Sequence, residues 1–368
     1  MSSNYICSPK DAAAFCARVF QGYGIGKSES VSLAEALVDN EIRGIKSHGL
    51  LRVRPYLNQY RSGMFVSDSE IRIVRETPLT AVLDGNNGIG MVIAGKAVEI
   101  ARKKAAEMGM GCVCVRHSNH CGALGYWSSK LAGEDMIGVS ASNTPPILSA
   151  PSGSSPAIGS NPFSVCVPAG DSPAICLDIS NGVMALGKVH EYRRLGRSFP
   201  EGSWLDKDGN PTNDPNANPV EQFIMRPVGM HKGFGLAVIV EIMTSLLSGG
   251  EYGTQIAESV ADTANGNPTS HFFFAMRVDQ FQDLEAFRRR IDEFIGYLHA
   301  LPVREGQSMV LFPGEPEARA KAAVQERGLI LPEDLIRDLR ELAAGAGVDP
   351  DSLGAVPAPE GVTGTSQI

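Results

Sequence analysis

The sequence predicts a mixed α/β protein in which helices near both chain ends flank a centre rich in strands. Apolar residues recur at helical spacing over the first 45 residues and again beyond residue 315. Short runs of β-branched and apolar residues, some followed by helical segments, occupy the centre. The glycines of GNNGIGM at 85–91 have the wrong spacing for GxGxxG, so a Rossmann nucleotide fold is not predicted.

Residues typical of helix ends predict where the N-terminal helices begin and end. Ser8 and Pro9 are typical of an N-cap followed by the first helical position, and the helical pattern continues from there. A second helix is expected to begin near residue 28 or 30, and its C-terminal end leads directly into Ser-His-Gly. His48 is therefore predicted to lie on a helix-terminating turn, where a side chain can face a cleft.

Further elements follow along the chain. Strands are predicted at 71–76, 80–85, 111–116 and 308–312 and in MIGVSAS, PFSVCVP, ICLDIS and HFFFAMRV. Helices are predicted at about 91–108, 123–133 and 284–298 and in PGEPEAR and PEDLIRDLRELAAG. The apolar stretch 236–247 contains Glu241 and is too short to span a bilayer, so we expect a buried helix. Residues 351–368 have too few apolar side chains to fold and are expected to be disordered.

Composition limits the possible partners. Of 368 residues, 43% are hydrophobic and 20% charged, which is ordinary for a globular protein. The formal net charge of −8 argues against nucleic-acid binding, since no basic run supplies a phosphate-binding face. No signal peptide or membrane span is apparent, so no membrane partner is expected. Seven cysteines without a CxxC pair indicate reduced thiols in a cytoplasmic protein.

Three glycine-flanked histidine segments, at 47–52, 118–126 and 229–235, favour an enzyme that acts on small molecules. Each segment places an imidazole or an ammonium group beside flexible backbone. The last one, GMHKGFG, is either a loop that enters a helix or an anion site, where backbone N–H groups and Lys232 bind phosphate. These patterns alone leave both interpretations open.

His117 and His120 have the spacing of a metal-ligand pair, but no carboxylate lies nearby in sequence to complete a site. We therefore predict no metal. A structural interpretation of His120, as a buried ring beside glycine, competes with a functional one.

Seven motifs, collinear from about residue 8 to 345, together resemble the malate/L-lactate dehydrogenase family. They are RGIKSHGLLRVRPYL, RHSNHCGALGYW, IGSNPFSVCVPAG, LDISNGVMALGKV, WLDKDGNPTNDP, HKGFGLAVIVEI and LFPGEPEAR. This cytoplasmic, NAD(P)-dependent family also includes sulfolactate, ureidoglycolate and 2,3-diketogulonate enzymes and cyclic imino-acid reductases.

The resemblance implies a non-Rossmann NAD(P)-binding fold with a mostly antiparallel central sheet and an outer helical domain built from both chain ends. The implied helical domain comprises 1–75 and 308–350, and the central cofactor-binding domain comprises 76–307. A homodimer is also implied, with active sites near the subunit interface.

The resemblance assigns catalytic and substrate-binding roles. His48 matches an acid/base histidine with Ser47 beside it, and Arg52 matches an arginine that binds the substrate carboxylate. His120 matches a family histidine that acts as the proton acceptor in some members and lies by the cofactor in others. The two histidines therefore compete for the role of base, and we favour His48. Lys188 and Thr144 match positions near the substrate.

Cofactor-binding positions are implied as well, and they comprise Asp178, Ile179, Ser180, His231, Lys232, Pro313, Gly314 and Glu315. A Glu315 carboxylate beside the adenosine ribose would favour NAD over NADP, although NADP remains possible. The chain departs from the usual DMATS segment at 178–182 and from the usual glycine at Met230, which leaves the exact substrate open.

The predicted reaction is the interconversion of a small, malate- or lactate-like 2-hydroxy acid and its 2-oxo acid by hydride transfer. Reduction of a cyclic imino acid or a diketo acid is an alternative with the same residues. A non-catalytic dinucleotide-binding protein is the alternative from another class.

Overall fold

A computed structural model describes residues 4–186, 188–256 and 268–359. Its strands are β1 (Asn4–Cys7), β2 (Arg72–Glu76), β3 (Thr80–Asp84), β4 (Met110–Ser118), β5 (Met136–Ser142), β6 (Leu148–Ser149), β7 (Pro156–Ile158), β8 (Phe163–Val167), β9 (Ile175–Ile179), β10 (Trp204–Leu205), β11 (Pro211–Thr212), β12 (Ile224–Met225), β13 (Thr269–Arg277), β14 (Leu329–Pro332) and β15 (Val356–Pro357). Its α-helices are α1 (Pro9–Gly22), α2 (Lys27–Ile42), α3 (Val53–Arg61), α4 (Gly90–Met108), α5 (Leu124–Ala132), α6 (Lys188–Leu195), α7 (His231–Glu241), α8 (Leu284–His299), α9 (Glu315–Arg327) and α10 (Glu333–Gly345).

A seven-stranded sheet forms the centre of the molecule, in the order β2-β3-β4-β13-β5-β8-β9. Neighbouring strands are antiparallel except for the parallel pair β3 and β4. Helices α4 and α5 pack on one face of this sheet. Alternate side chains of the same strands face α7 and the π-helical turn that continues it at Ile242–Leu246. The predicted mostly antiparallel central sheet is confirmed.

Both chain ends build an outer layer. Helices α1, α2, α3 and α10 pack together, and β1 pairs with both β14 and β15. Ser8 caps α1 as predicted, because its hydroxyl accepts a hydrogen bond from the backbone N–H of Asp11 at 3.0 Å. One continuous cluster of buried side chains joins this layer to α4 and the sheet. The outer helical layer is thus confirmed, while the domain boundaries at 75, 307 and 350 stay predictions.

A second, five-stranded sheet was not predicted. Its order is β11-β10-β12-β6-β7, and its strands have only two or three residues each. Strands this short show no readable alternation in the sequence. The small sheet has its own core, in which the buried rings of Phe199, Trp204 and Phe223 meet.

Two predictions about the C-terminal region are wrong. Residues 308–312 form no strand, because the N–H of Phe312 donates to the Glu315 carboxylate and the ring packs among α8 side chains. The tail is ordered beyond residue 351, because Pro350–Leu353 forms a 3-10 helix with Leu353 fully buried, and β15 then pairs with β1. Residues 360–368 of the predicted disordered tail lie outside the described residues.

The apolar stretch 236–247 is helical, but the prediction that it is buried is wrong. Five of its large apolar side chains are 45–60% exposed, namely Leu236, Ile239, Ile242, Leu246 and Leu247. Within the described residues, no helix is both long and apolar enough to span a membrane. All seven cysteines are free thiols.

Candidate active site

The Ser-His-Gly segment is a tightly held turn between α2 and α3. It consists of two 3-10 helices, Lys46–His48 and Leu50–Arg52. The buried Glu41 carboxylate accepts a hydrogen bond from the N–H of Leu50 at 2.9 Å, and the Asn40 side-chain amide donates to the carbonyl of His48 at 3.1 Å. A Cβ at Gly49 would collide with Glu41, so only glycine fits there. The end of α2 therefore fixes the position of His48.

Two histidine rings meet at this turn. The rings of His48 and His120 stack with their centroids 5.5 Å apart and their planes 22° apart. Nδ1 of His48 lies 3.0 Å from the Ser47 hydroxyl. Nε of Arg52 donates to the Ser47 carbonyl at 2.7 Å, which holds the guanidinium beside the histidines. The four residues predicted to carry the chemistry are thus brought together.

Tyr56 completes this cluster and was missed from the sequence. Its hydroxyl lies 2.5 Å from Nδ1 of His120, and its side chain is almost fully buried. A signal was present, since His48, Arg52 and Tyr56 recur at a spacing of four residues. Arg52 is the N-cap residue of α3, so that helix carries Tyr56 toward His120.

The cluster is electrostatically unusual. Protein surrounds the imidazoles on most sides, and this burial, with the Arg52 charge, lowers the pKa of His48 to about 4. Burial and the charges of His48 and Arg52 hold the pKa of His120 well below its usual value. Burial raises the pKa of Tyr56, which stays a neutral phenol. At neutral pH the site therefore contains two neutral imidazoles, a phenol and one cation.

The C-terminal end of β9 lies at the edge of the central sheet. Asp178 accepts a hydrogen bond from the N–H of Gly125 in the first turn of α5, at 2.7 Å. Asp178 is exposed as a whole residue, but burial of its carboxyl group against α5 raises its pKa to about 7. Ile179 and Ser180 are also exposed, so the strand end presents both backbone and side chains to a ligand.

The loop that precedes α9 packs along this edge. The carbonyl of Pro313 accepts a hydrogen bond from the N–H of Cys176 at 2.9 Å. Gly314 is in the left-handed region with φ 89°, and a Cβ there would lie 2.9 Å from the backbone of Cys176. Two of the predicted cofactor-binding segments are therefore in direct contact.

The side chain of Glu315 is not free to contact an adenosine ribose, as the predicted preference for NAD requires. Its side chain is only 5% exposed and accepts hydrogen bonds from His299 at 2.9 Å and from Arg319 at 2.6 Å. Hydrogen bonds from His299, Arg319 and the N–H of Phe312 lower the pKa of Glu315 against its burial. A buried carboxylate that is already paired within the protein offers no free acceptor to an adenosine ribose, so Glu315 gives no preference for NAD over NADP.

Thr144 and the β9 end are linked through two asparagines. The hydroxyl of Thr144 accepts from the N–H of Ser160 at 3.0 Å, and its own N–H donates to the Asn161 side chain at 3.1 Å. The amide of Asn181 donates to the carbonyl of Asn161 at 2.6 Å. Asn181 is fully buried, and within the described part of the chain its side-chain oxygen has no hydrogen-bond partner.

His231 and Lys232 open α7, and both are exposed. Met230 precedes them with φ 55°, a left-handed conformation that a non-glycine residue rarely adopts. No side chain caps this helix end, but the N–H groups of Lys232 and Gly233 donate to the carbonyls of Gly229 and Val228 at 3.2 and 2.9 Å, so an anion there would be bound by the exposed Lys232 ammonium. Lys188 begins α6 and is half-buried.

The histidines at 117 and 120 do not converge on one point. Nδ1 of His117 lies 3.0 Å from the Asp84 carboxylate, whereas His120 contacts Tyr56. Among the residues that the structure describes, no three His, Cys, Asp or Glu side chains are arranged to hold a metal ion.

Comparison with known proteins identifies the family of this chain. The family model described as malate/L-lactate dehydrogenase matches residues 7–340. The chain therefore belongs to the malate/L-lactate dehydrogenase family. It is 31% identical to a malate dehydrogenase of Pyrococcus horikoshii, covering 95% of this chain and 98% of that protein. It is 33% identical to an L-sulfolactate dehydrogenase of Methanocaldococcus jannaschii, covering 94% of this chain and 98% of the relative.

A solved structure agrees with the fold as well. The crystal structure of malate dehydrogenase from Entamoeba histolytica superposes with a TM-score of 0.88 at 28% identity, covering 94% of this chain and 99% of that one. Further relatives carry a cofactor in their names, NADP+ in a (2R)-3-sulfolactate dehydrogenase and NAD+ in a ureidoglycolate dehydrogenase.

Proposed function

We propose that this protein is an NAD(P)-dependent oxidoreductase that interconverts a small 2-hydroxy acid and its 2-oxo acid. The observation that carries the proposal is the Ser47-His48-Arg52 turn with the His120 ring stacked against it. This arrangement combines a neutral imidazole, which can take a hydroxyl proton, with a cation that can bind a carboxylate. The names of the family relatives support the same class of substrate.

Arg52 holds the substrate carboxylate. Its Nε is engaged by the Ser47 carbonyl, which fixes the plane of the guanidinium. Within the described residues, no hydrogen bond engages its two Nη atoms, and these can donate to the two oxygens of a carboxylate. The carboxylate is then oriented so that the adjacent hydroxyl lies toward the histidines, and this orientation is a large part of the catalytic effect.

Hydrogen bonding to Nδ1 separates the roles of the two histidines. Tyr56 is a phenol whose other acceptor, the carbonyl of His120, is 3.4 Å away, so its proton is best donated to Nδ1 of His120. His120 then carries its own proton on Nε2 and can donate to the substrate oxygen. The Ser47 hydroxyl can instead accept from Nδ1–H of His48, which leaves Nε2 of His48 as the base.

The segments around β9 fit a dinucleotide. They offer the exposed residues Ile179 and Ser180 at the strand end and the exposed Lys232 ammonium at the start of α7 for phosphate. Asp178, His231, Pro313 and Gly314 complete the set of residues that would hold it, with Thr144 and Lys188 nearer the substrate. The bound nicotinamide supplies the hydride acceptor or donor. NAD and NADP both remain candidates.

We also propose that the working form is a homodimer. The exposed face of α7 and its π-helical turn, formed by Leu236, Ile239, Ile242, Leu246 and Leu247, is a contiguous apolar strip. Exposed apolar strips of this kind mark interaction sites in soluble proteins. The strip begins one turn after His231, so an interface there would lie beside the proposed cofactor segment.

The proposal is tested by following the reduced-nicotinamide absorbance of the purified protein with NADH or NADPH. The panel contains 2-oxo acids, diketo acids and cyclic imino acids, and each reaction is also run in reverse. Oxidation of one cofactor by a 2-oxo acid supports the proposal and identifies the cofactor. Activity confined to a cyclic imine or a diketo acid would replace the proposed substrate class. Tight cofactor binding with no turnover of any compound would favour a non-catalytic binding protein.

A further inference from the structure

Cys166 and Cys176 face each other across the last two strands of the central sheet. They are register partners on the antiparallel strands β8 and β9. The N–H of Cys176 donates outward to the Pro313 carbonyl rather than to β8. The two cysteines therefore form a non-hydrogen-bonded pair, whose Cα atoms are about 4.5 Å apart in such sheets. That spacing is within the range of about 4.4–6.8 Å that disulfides require.

The surroundings of Cys176 favour a thiolate. The hydroxyls of Ser128, Ser129 and Ser164 lie 3.8, 3.9 and 4.0 Å from its sulfur. The Ser129 hydroxyl donates to the carbonyl of Gly125 and accepts from the Arg43 guanidinium at 3.1 Å, so Ser129 connects a cation to the surroundings of the sulfur. The neighbouring Cys166 thiol is the main cause that lowers the pKa of Cys176 to about 6, against the effect of burial.

The two thiols differ in access. Cys176 is half-buried, whereas Cys166 is only 2% exposed. A small oxidant can therefore reach Cys176 first, and the thiol that can react next lies directly opposite it. Low pKa, partial exposure and an adjacent second thiol are the features of oxidation-sensitive cysteines.

We propose that Cys166 and Cys176 form a peroxide-sensitive pair that closes into a cross-strand disulfide beside the cofactor segment. In the first step, the Cys176 thiolate attacks hydrogen peroxide and breaks the O–O bond. The products are a sulfenic acid and hydroxide, which takes up a proton to become water. In the second step, the Cys166 sulfur attacks the sulfenic sulfur, and the S–OH oxygen leaves as a second water. Overall, two thiols lose two electrons and peroxide is reduced to two waters.

The disulfide alters the edge of the sheet that we assign to the cofactor. Closing the bond is expected to draw the Cys176 sulfur toward β8 and away from the Ser128 and Ser129 hydroxyls of α5. The backbone of Cys176 is hydrogen-bonded to Pro313 and packed against Gly314, and Asp178 lies two residues further along β9. Oxidation is therefore expected to weaken cofactor binding several-fold, and a thiol reductant such as dithiothreitol should restore it.

The disulfide itself is the primary readout. The full-length protein is treated with one equivalent of hydrogen peroxide, remaining thiols are alkylated, and peptides are identified by mass spectrometry. The expected product is a peptide linked through Cys166 and Cys176 that disappears on reduction. Absence of this product, with both thiols alkylated or with Cys176 only over-oxidised, would overturn the proposal. Because this readout needs no turnover, it stays separate from any failure of the proposed reaction.

Two variants sharpen the test. Cys166→Ala removes the second thiol, so with two or more equivalents of peroxide Cys176 should be oxidised through sulfenic to sulfinic acid, one peroxide being consumed at each stage, and reductant should no longer restore cofactor binding. Cys112→Ser is the matched control, because Cys112 is the other partly exposed cysteine and its neighbour Cys114 lies on the same strand rather than opposite it. The control should form the Cys166–Cys176 link as the unmodified protein does. Full reversal in Cys166→Ala, or loss of the link in Cys112→Ser, would contradict the proposal.

Discussion

His48 is the residue on which the proposed chemistry depends. The side chains of Asn40 and Glu41 fix its position, because they hydrogen-bond to the backbone of His48 and Leu50. Its partner at Nδ1 is the neighbouring Ser47 hydroxyl. A motif that places histidine, glycine and arginine within five residues made His48 and Arg52 predictable. Tyr56 was not predicted, because its role depends on the contact with His120, which is 64 residues away along the chain.

The pH dependence of hydroxy-acid oxidation should reflect the lowered pKa of His48. A base must be neutral, and burial with the Arg52 charge lowers the pKa of His48 to about 4. We expect kcat/KM for the hydroxy acid to be level near neutrality and to fall only as the pH drops through about 4. The measurement is a pH profile of kcat/KM in the oxidation direction, with stability checked at each pH. An acid limb near 6.5 would mean that the base is not this buried imidazole.

Tyr56→Phe tests the hydrogen bond that orients His120. Loss of the hydroxyl leaves a buried nitrogen without its donor, a change worth about 1–1.5 kcal/mol, or roughly tenfold in kcat. Cofactor affinity should stay the same. Tyr60→Phe is the matched control, because its hydroxyl lies on the same helix and donates to the carbonyl of Gly24 instead. Equal effects of the two substitutions on kcat would show that Tyr56 acts only through packing.

At the scale of elements, the turn after α2 depends on a buried carboxylate. Glu41→Ala removes the acceptor of the Leu50 N–H and leaves a void beside Gly49. We expect kcat/KM to fall about tenfold, since an unsatisfied buried donor costs about 1–3 kcal/mol and the turn loosens. Glu41→Gln retains an acceptor oxygen and should preserve most of the activity, which steady-state kinetics can check. If glutamine were as harmful as alanine, the charge rather than the hydrogen bond would be required.

Elements with regular patterns were predictable, and short or context-dependent ones were not. Helices α4, α8 and α10 and the long strand β13 follow their sequence patterns closely. The strand predicted at 308–312 failed, because the N–H of Phe312 is bonded to a side chain and not to another strand. Strand β14 was missed, since its pairing with β1 joins residues more than 300 positions apart.

At the scale of the whole molecule, the apolar face of α7 shows what a sequence cannot specify. Its pattern correctly indicated a helix, but hydrophobicity alone does not say whether the same chain or a second copy covers it. The structure leaves this face open in one chain, with Ile239 53% exposed. The prediction of burial is therefore wrong for a single chain. For the same reason we propose a homodimer, in which a second copy covers this face.

Ile239→Glu tests that assembly. A carboxylate in the middle of the apolar strip would have to be buried at the interface, which is strongly unfavourable. Light scattering should give twice the chain mass of 39.1 kDa for the unmodified protein and the single mass for the variant. Phe281→Glu is the control, because Phe281 is 64% exposed but lies outside the strip. A monomeric unmodified protein, or a dimer that survives Ile239→Glu, would contradict the proposed interface.

The role of His48 as the base is tested by His48→Ala, assayed with whichever acid and cofactor the unmodified protein turns over. Hydride transfer and cofactor binding are measured on the same preparation, the first by nicotinamide absorbance and the second by fluorescence titration. If His48 is the base, we expect kcat to fall by about 10²–10⁴ while the dissociation constant of the cofactor barely changes. Turnover that survives in His48→Ala and is lost in His120→Ala would assign the base to His120. Turnover that survives in both variants would contradict histidine acid/base catalysis at this site.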